Sequence, residues 1–411
     1  MLLKDKEYEK ALRFYLEKTF LKNTLPQGIA EIDMNAVKPL ISYIKGLASS
    51  PEDFLFSKPV YAWWDLTSAC NFRCIHCLYN GRDYFDKDDL STDEAIMLAN
   101  ELIHDLGISC INLTGGEIFL RKDTLDIIKI FKDNNVAVRL ATNAALLDDA
   151  KIEALASLFN PYTDMVQVSL DGACAETFEK IRLTNTFEKI INNIRKMTSA
   201  GITVNVAYTV NNLNFGEVFD AYRLCDELGV KTLFAGKLLV FNENHKKLLL
   251  SNKDLLMLYQ DIHKKDLSQY KTEIKTAFFS IIETLNLPYA SEILKEQKFV
   301  EYFKKFNKPA LRECNAHDRL SIRSDGRVYM CMQAETCPNA LMGNYRENSL
   351  LEIWEKRLDN VLFQKRKQED SVCNGCFYNV VCNAGCKASA LEHFNDADMP
   401  EQECMYLNTS F

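Results

Sequence analysis

From about residue 60 the chain alternates short runs of β-branched and aromatic residues with longer amphipathic stretches. The runs are AWWDLT, SCINLT, VAVRLAT, DMVQVSL, ITVNVAYTV and VKTLFAG, and each has the length and composition of a strand. The stretches between them carry apolar residues at helical spacing. STDEA opens one helix, with Ser91 and Glu94 forming a capping box, and further helices are expected from Asp123, Asp148, Ala175 and Phe215. Six strands alternating with helices require parallel pairing and right-handed crossovers, so this part is an α/β sheet or an incomplete (β/α) barrel. In either case a ligand site is expected at the carboxyl ends of the strands.

The flanks read differently. Residues 1–58 form an N-terminal helical segment, with helical spacing over Glu7 to Thr19 and Ala36 to Leu47, and with Pro51 and Pro59 marking its exit. The barrel spans residues 59–236. Over residues 237–310 the strand signal disappears and lysine-rich helical sequence forms a bridging region. Residues 311–411 are short-period, turn-rich and dense in cysteine.

Composition narrows the chemistry. A 411-residue chain with 47% hydrophobic residues supports a sizeable core. Its net charge of -8 argues against a nucleic-acid surface, which would carry a basic stripe. No apolar run approaches the roughly 18 residues of a membrane span, and the start MLLKDKEYEK lacks the apolar heart of a signal peptide, so a cytoplasmic protein is expected. Fourteen cysteines in a reducing compartment point to metal ligation rather than disulfides. Cys110, Cys174 and Cys225 stand apart and read as small core residues.

The first run is followed directly by CNFRCIHC, where Cys70, Cys74 and Cys77 can surround one metal centre from a single loop. Three thiolates are one ligand short of a closed zinc or cubane site, which leaves one position for a cofactor. A zinc knuckle would have to recruit His76. The CxxxCxxC spacing after a first strand resembles the radical S-adenosylmethionine (SAM) superfamily. That resemblance implies a partial (β/α)6 TIM-like barrel in which the three cysteines hold a [4Fe–4S] cluster and SAM chelates its open iron. It further implies reductive cleavage of SAM to a 5′-deoxyadenosyl radical that abstracts a substrate hydrogen atom.

The same resemblance assigns SAM contacts to later strand ends. His76 holds the position usually taken by an aromatic residue whose backbone lies near adenine, a role without imidazole chemistry. TGGE ends the second strand, with Gly115 and Gly116 allowing close approach to the SAM amino group and Glu117 beside them. ATNA ends the third, with Asn143 in the matching place and Ala144 where the family commonly has glycine. SLDG ends the fourth, with Ser169 and Asp171 as polar contacts to the ribose or carboxylate. Arg182 falls where related enzymes set an arginine against the carboxylate, and Tyr208 on the fifth strand is placed near adenine.

The C-terminal cysteines follow the order CxnGxxxxC, CxxCxxxxxCxxxC and C, with Gly326 as the glycine. This resembles the SPASM domain, which implies two auxiliary [4Fe–4S] clusters and three clusters in all. By that resemblance Cys373, Cys376, Cys382 and Cys404 bind one, and Cys314, Cys331 and Cys386 bind the other, with Cys337 as candidate fourth ligand. A pair of zinc ribbons is the alternative reading of the CxxC element.

Such enzymes commonly modify ribosomally made peptides or proteins, forming thioether or other cross-links or epimerised residues. A leader-bearing precursor peptide and a reductase, flavodoxin or ferredoxin electron donor are the implied partners, with neither nucleic acid nor membrane. The alternatives are side-chain chemistry on a tetrapyrrole or quinone cofactor and a non-enzymatic iron–sulfur electron carrier. Lys246, Lys247, Lys264 and Lys265 read as solvated helix faces, and Cys225 is the barrel thiol to weigh as a hydrogen donor.

Overall fold

The computed structural model describes residues 58–78, 88–240, 242–278, 319–364, 366–367, 373–374, 384–401 and 404. The expected helices of residues 1–58 lie outside the described residues, as do Cys314, Cys376 and Cys382. The six expected strands are present as β1 (Tyr61–Thr67), β2 (Cys110–Gly115), β3 (Ala137–Thr142), β4 (Met165–Ser169), β5 (Val204–Val210) and β6 (Thr232–Lys237). They pair in chain order, all parallel.

Between them run α1 (Thr92–Asn100), α2 (Thr124–Asp133), α3 (Asp149–Leu158), α4 (Ala175–Arg182), α5 (Phe187–Ser199) and α6 (Val218–Glu227). The Ser91–Glu94 capping box forms in both directions, and Asp148 accepts from the Lys151 amide at 2.9 Å to open α3. These caps satisfy amides that the first helical turn leaves without partners. The result is a partial TIM-like barrel.

The bridging region departs from expectation. It holds α7 (Glu243–Lys246) and α8 (Asn252–Lys264), but also β7 (Glu273–Ala277), which pairs parallel to β6. Its sequence, EIKTA, is short and mostly polar because the strand lies at the end of the sheet with half-exposed side chains. Apolar runs mark strands covered on both faces, so periodicity alone missed this one. Lys246, Lys247, Lys264 and Lys265 are exposed, as expected.

At the other end, β8 (Arg319–Ile322) pairs parallel to β1 and turns back into β9 (Arg327–Tyr329) and then β10 (Gly343–Asn344), extending the sheet to ten strands. The cysteine-rich region is thus built onto the edge of the strand that leads into CNFRCIHC. Beyond it lie α9 (Leu350–Glu355) and α10 (Lys387–Phe394). Arg346 fastens this region to the barrel through a two-pronged contact with Glu94, 2.7 Å from Nε and 3.2 Å from Nη2.

Those bonds hold the Glu94 carboxyl down at about 2, against about 4.5 for an ordinary glutamate. The contact therefore stabilises the fold fully above pH 4.5 and is lost as pH falls toward 2. Because Glu94 is largely solvated, Arg346→Ala should cost at most about 1 kcal/mol at pH 7. In urea unfolding, the gap between variant and wild type should narrow at pH 4.

The two faces of the sheet have opposite character. Ala62, Trp64, Leu66, Ile111, Leu113, Val166 and Val168 are buried beneath the helices. The alternate positions form registered rows on the open face, Trp63–Asn112–Arg139 across β1 to β3 and Gln167–Asn205–Thr232–Glu273 across β4 to β7. All of these except Thr232 retain solvent exposure. The barrel interior below the strand ends therefore carries polar side chains beside apolar ones such as Trp63 and Met165.

Candidate active site and auxiliary cysteine region

The register shifts between Asp65 and Thr67, which still pairs with Gly115, and the loop carrying Cys70, Cys74 and Cys77 follows. Asp89 anchors the turn, accepting from Thr67 Oγ1 at 2.6 Å and Ser68 Oγ at 2.9 Å. The end of β2 then continues its ladder onto this loop, with Gly116 N donating to Thr67 O and Glu117 N to Ala69 O, both at 2.8 Å.

The two glycines serve this contact. A β-carbon at Gly115 would lie 2.4 Å from Thr67 O, and one at Gly116 would lie 2.1 Å from Ala69 O. Their first structural role is to let β2 touch the cysteine loop.

Glu117 is fully buried and binds neighbouring backbone. Its carboxylate accepts from Thr142 Oγ1 at 2.8 Å, Asn143 N at 2.7 Å and Phe119 N at 3.1 Å, joining the ends of β2 and β3. Burial raises its pKa. Glu117→Gln would turn an amide NH2 toward donors, and a cost of about 2 kcal/mol is expected, readable as a lowered midpoint in anaerobic thermal unfolding.

Asn143 bonds Asn71 Oδ1 through Nδ2 at 2.8 Å, tying β3 to the loop. Ala144 adopts the left-handed conformation, φ 60°, despite its β-carbon. Its amide donates to Thr142 Oγ1 and its carbonyl accepts from Asn193 Nδ2, both at 2.9 Å. The turn is thus held without glycine.

Asp171 is fully buried just past β4. Its Oδ1 accepts from Thr209 N at 2.6 Å, while Oδ2 ion-pairs with Arg182 and lies 3.1 Å from His76 Nε2. Burial opposes its ionisation, but Arg182 and then His76 outweigh that and hold it down at about 2. Arg182 also donates to Cys74 Sγ at 3.6 Å. Of the residues expected to meet SAM, His76, Asp171 and Arg182 thus form one chain leading to Cys74. His76 faces Asp171, an arrangement unlike a zinc knuckle.

Ser169 ends β4 on the open face. Tyr208 stands on the helix-covered face, where its hydroxyl donates to Asn214 O at 2.9 Å. The neighbouring open-face position is Thr209.

The three thiols have the donor chemistry of a metal cluster, while among the described residues no three His, Cys, Asp or Glu side chains are gathered closely enough to hold a single metal ion. Burial foremost, then the nearby Cys74 thiol and Glu117 carboxylate, push Cys70 up to about 11. Three thiolates here need a cationic centre, and Arg182 supplies one compensating charge.

The C-terminal cysteines are partly gathered. Gly326 takes the β8–β9 turn at φ 87°, and Cys331 follows β9. Cys331 and Cys337 bracket a short 3₁₀ helix, Met332–Thr336, and Cys386 caps α10, its sulfur accepting from Ser389 N at 3.5 Å. All three belong to one small core with Ala334, Leu362 and Leu391. Cys337 Sγ donates to Glu392 Oε2 at 3.2 Å, and burial, then Glu392, pushes it up to about 12. Cys373 is buried and Cys404 half-buried.

The isolated cysteines divide. Cys225 is fully enclosed on α6, behind the sheet, away from the chamber where a hydrogen donor would stand. Cys110 is half-buried at the start of β2. Cys174 is exposed at the start of α4, so it is not the core residue its isolation implies. The sequence reading missed Asp89, Asn71 and His245, which hold the loop through contacts between distant parts of the chain that leave no spacing signature.

Residues 64–235 match the radical SAM superfamily and residues 314–377 an iron–sulfur cluster-binding domain, SPASM. An AdoMet-dependent heme synthase of Methanosarcina barkeri is 27% identical over 84% of this chain and 95% of its own length. A probable GTP 3′,8-cyclase of Saccharolobus islandicus is 27% identical over 70% of this chain and 83% of its own.

In fold, the chain is similar to Streptococcus suis SuiB bound to S-adenosylmethionine. That match has a TM-score of 0.68 at 15% identity, covering 95% of this chain and 87% of SuiB. SuiB bound to its precursor peptide SuiA gives 0.66 at 14%, covering 96% and 87%. The chain is a radical SAM enzyme with a SPASM iron–sulfur domain following its barrel.

Proposed function

We propose that this enzyme modifies a side chain of a ribosomally made peptide or protein by hydrogen abstraction, giving a thioether or other cross-link or an epimerised residue. Cys70, Cys74 and Cys77 would hold the SAM-cleaving [4Fe–4S] cluster, which with SAM supplies a 5′-deoxyadenosyl radical. Arg182 places a positive charge beside Cys74, while Glu117, Asn143 and Asp171 hold the surrounding strand ends. The chamber below would receive the substrate. Its half-exposed polar rows, Asn112 and Arg139 on one side and Gln167, Asn205 and Glu273 on the other, carry this reading, because they offer donors and acceptors suited to a peptide backbone. The full-length likeness in fold to a structure containing a precursor peptide supports it.

Two auxiliary clusters complete the assignment. Cys373, Cys376, Cys382 and Cys404 would bind one, and Cys314, Cys331, Cys386 and Cys337 the other. Cys337 lies in the same small core as Cys331 and Cys386. A cytoplasmic reductase, flavodoxin or ferredoxin would supply electrons. Replacing Cys373 and Cys376 with alanine should remove about four iron atoms per chain and abolish product formation, as iron analysis and mass spectrometry would read.

The heme synthase relative favours a second reading, side-chain chemistry on a tetrapyrrole. Reconstituted enzyme, SAM and reductant, incubated separately with candidate precursor peptides and with an iron porphyrin, decide between the two. A mass change on a peptide supports the first. Porphyrin conversion, with a spectral shift on mixing and every peptide unchanged, overturns it.

A further inference from the structure

His76 carries an imidazole that the family resemblance leaves without a task, yet the structure encloses it and sets it against one buried carboxylate. Its side chain is 9% exposed and Nε2 meets Asp171 Oδ2 at 3.1 Å. Nδ1 is buried and finds no hydrogen-bond partner among the described residues, so the ring's orientation depends on Asp171. That carboxylate is fixed independently of the loop, by the Thr209 amide and by the Asn214 side chain on its backbone carbonyl. It also fixes Arg182, whose other prong reaches Cys74 Sγ.

The backbone agrees, since Ile75 N donates to Ile181 O at 3.0 Å, one residue from each end of this chain. From the opposite side comes His245, fully buried on α7, capped by Asn242 and in backbone contact with Cys77.

We propose that His76 is a positioning residue for the SAM-cleaving cluster: its contact with Asp171 holds the segment between Cys74 and Cys77 and keeps Arg182 against Cys74. Besides the Asp89, Asn143, Ile181 and His245 contacts along the loop, this is a side-chain contact that ties the Cys74–Cys77 segment to the end of β4. A polar contact with a buried carboxylate attracts the ring to one place, whereas an apolar ring would fill the space without that attraction. The inference rests on the radical SAM assignment of Cys70, Cys74 and Cys77.

The test compares His76→Phe, which fills the volume without the bond, with His76→Gln, whose amide nitrogen can replace Nε2. Each full-length protein is reconstituted anaerobically. Iron is counted, the SAM dissociation constant is measured, and the electron paramagnetic resonance spectrum of the reduced protein is recorded with and without SAM. The SAM-induced difference isolates the SAM-binding cluster from the others.

His76→Phe should keep its iron, bind SAM about tenfold more weakly and lose or broaden the SAM-induced spectral change. His76→Gln should stay within about twofold of wild type. Asp171→Asn should show the same defect as His76→Phe, and the double variant His76→Phe/Asp171→Asn should be no worse than Asp171→Asn alone.

A His76→Phe protein that matches wild type in affinity and spectrum overturns the proposal. So does a His76→Gln protein as impaired as His76→Phe, or equal iron loss in both, because imidazole volume or general folding would then explain the effect. Wild-type protein with no iron and no SAM response would instead remove the cluster assignment itself, leaving the two failures distinguishable.

Discussion

Replacing Cys70, Cys74 and Cys77 together with alanine will remove about four iron atoms per chain and abolish formation of 5′-deoxyadenosine, while the C-terminal iron remains. The loop is held by contacts that do not involve sulfur: Asp89 at its start, the Gly116 and Glu117 amides along its length, and His76 and Ile75 near its end. The fold should therefore survive the loss of the thiols. Cys331, Cys337 and Cys386 sit in a separate small core, so auxiliary iron should not follow. Iron and sulfide analysis, with product assay after dithionite reduction, checks both halves. Continued 5′-deoxyadenosine formation by the triple variant would place SAM cleavage elsewhere.

A single methyl group should be nearly as damaging at Gly116. The alanine β-carbon would lie 2.1 Å from Ala69 O and 2.8 Å from Ser68 O, and both are backbone atoms that no rotamer change can move aside. The end of β2 and the cysteine loop would have to separate, breaking the bonds from Gly116 N to Thr67 O and from Glu117 N to Ala69 O. A stability loss of about 3 kcal/mol is expected, with at least about a hundredfold fall in SAM cleavage because the loop is displaced at its root. Gly216→Ala is the control, since a β-carbon there meets nothing within 4 Å. Equal activity in both variants would mean that the approach of β2 does not set the cluster geometry.

The six central strands were legible because each is covered on one face by helices, and burial leaves an apolar period in the sequence. Val166 and Val168 on β4, and Ile111 and Leu113 on β2, show it directly. The helix starts were legible for a local reason, since capping is a contact over three residues, as at Ser91 and Asp148. The cysteine spacings were legible because ligands to one centre must lie close in the chain when a single loop carries them. β7 was hidden because EIKTA lies at a sheet edge and has no apolar face to display. β8 was hidden because its pairing with β1 joins residues more than 250 positions apart.

The roles of the strand-end residues needed three dimensions. Gly115, Gly116, Glu117, Asn143 and Asp171 were all read from sequence as facing SAM, yet the structure commits their close contacts largely to the loop and strand ends. Cys174 and Cys225 look equally isolated in the sequence, but one is exposed at a helix start and the other fully enclosed.

By itself, then, the sequence determined the α/β barrel, the two cysteine regions and the chemistry their thiols imply, because burial period and ligand spacing are local quantities. The tertiary structure decided which side chains meet around the cysteine loop, because His76, Asp171, Arg182 and Cys74 come together through a fold that no stretch of sequence contains.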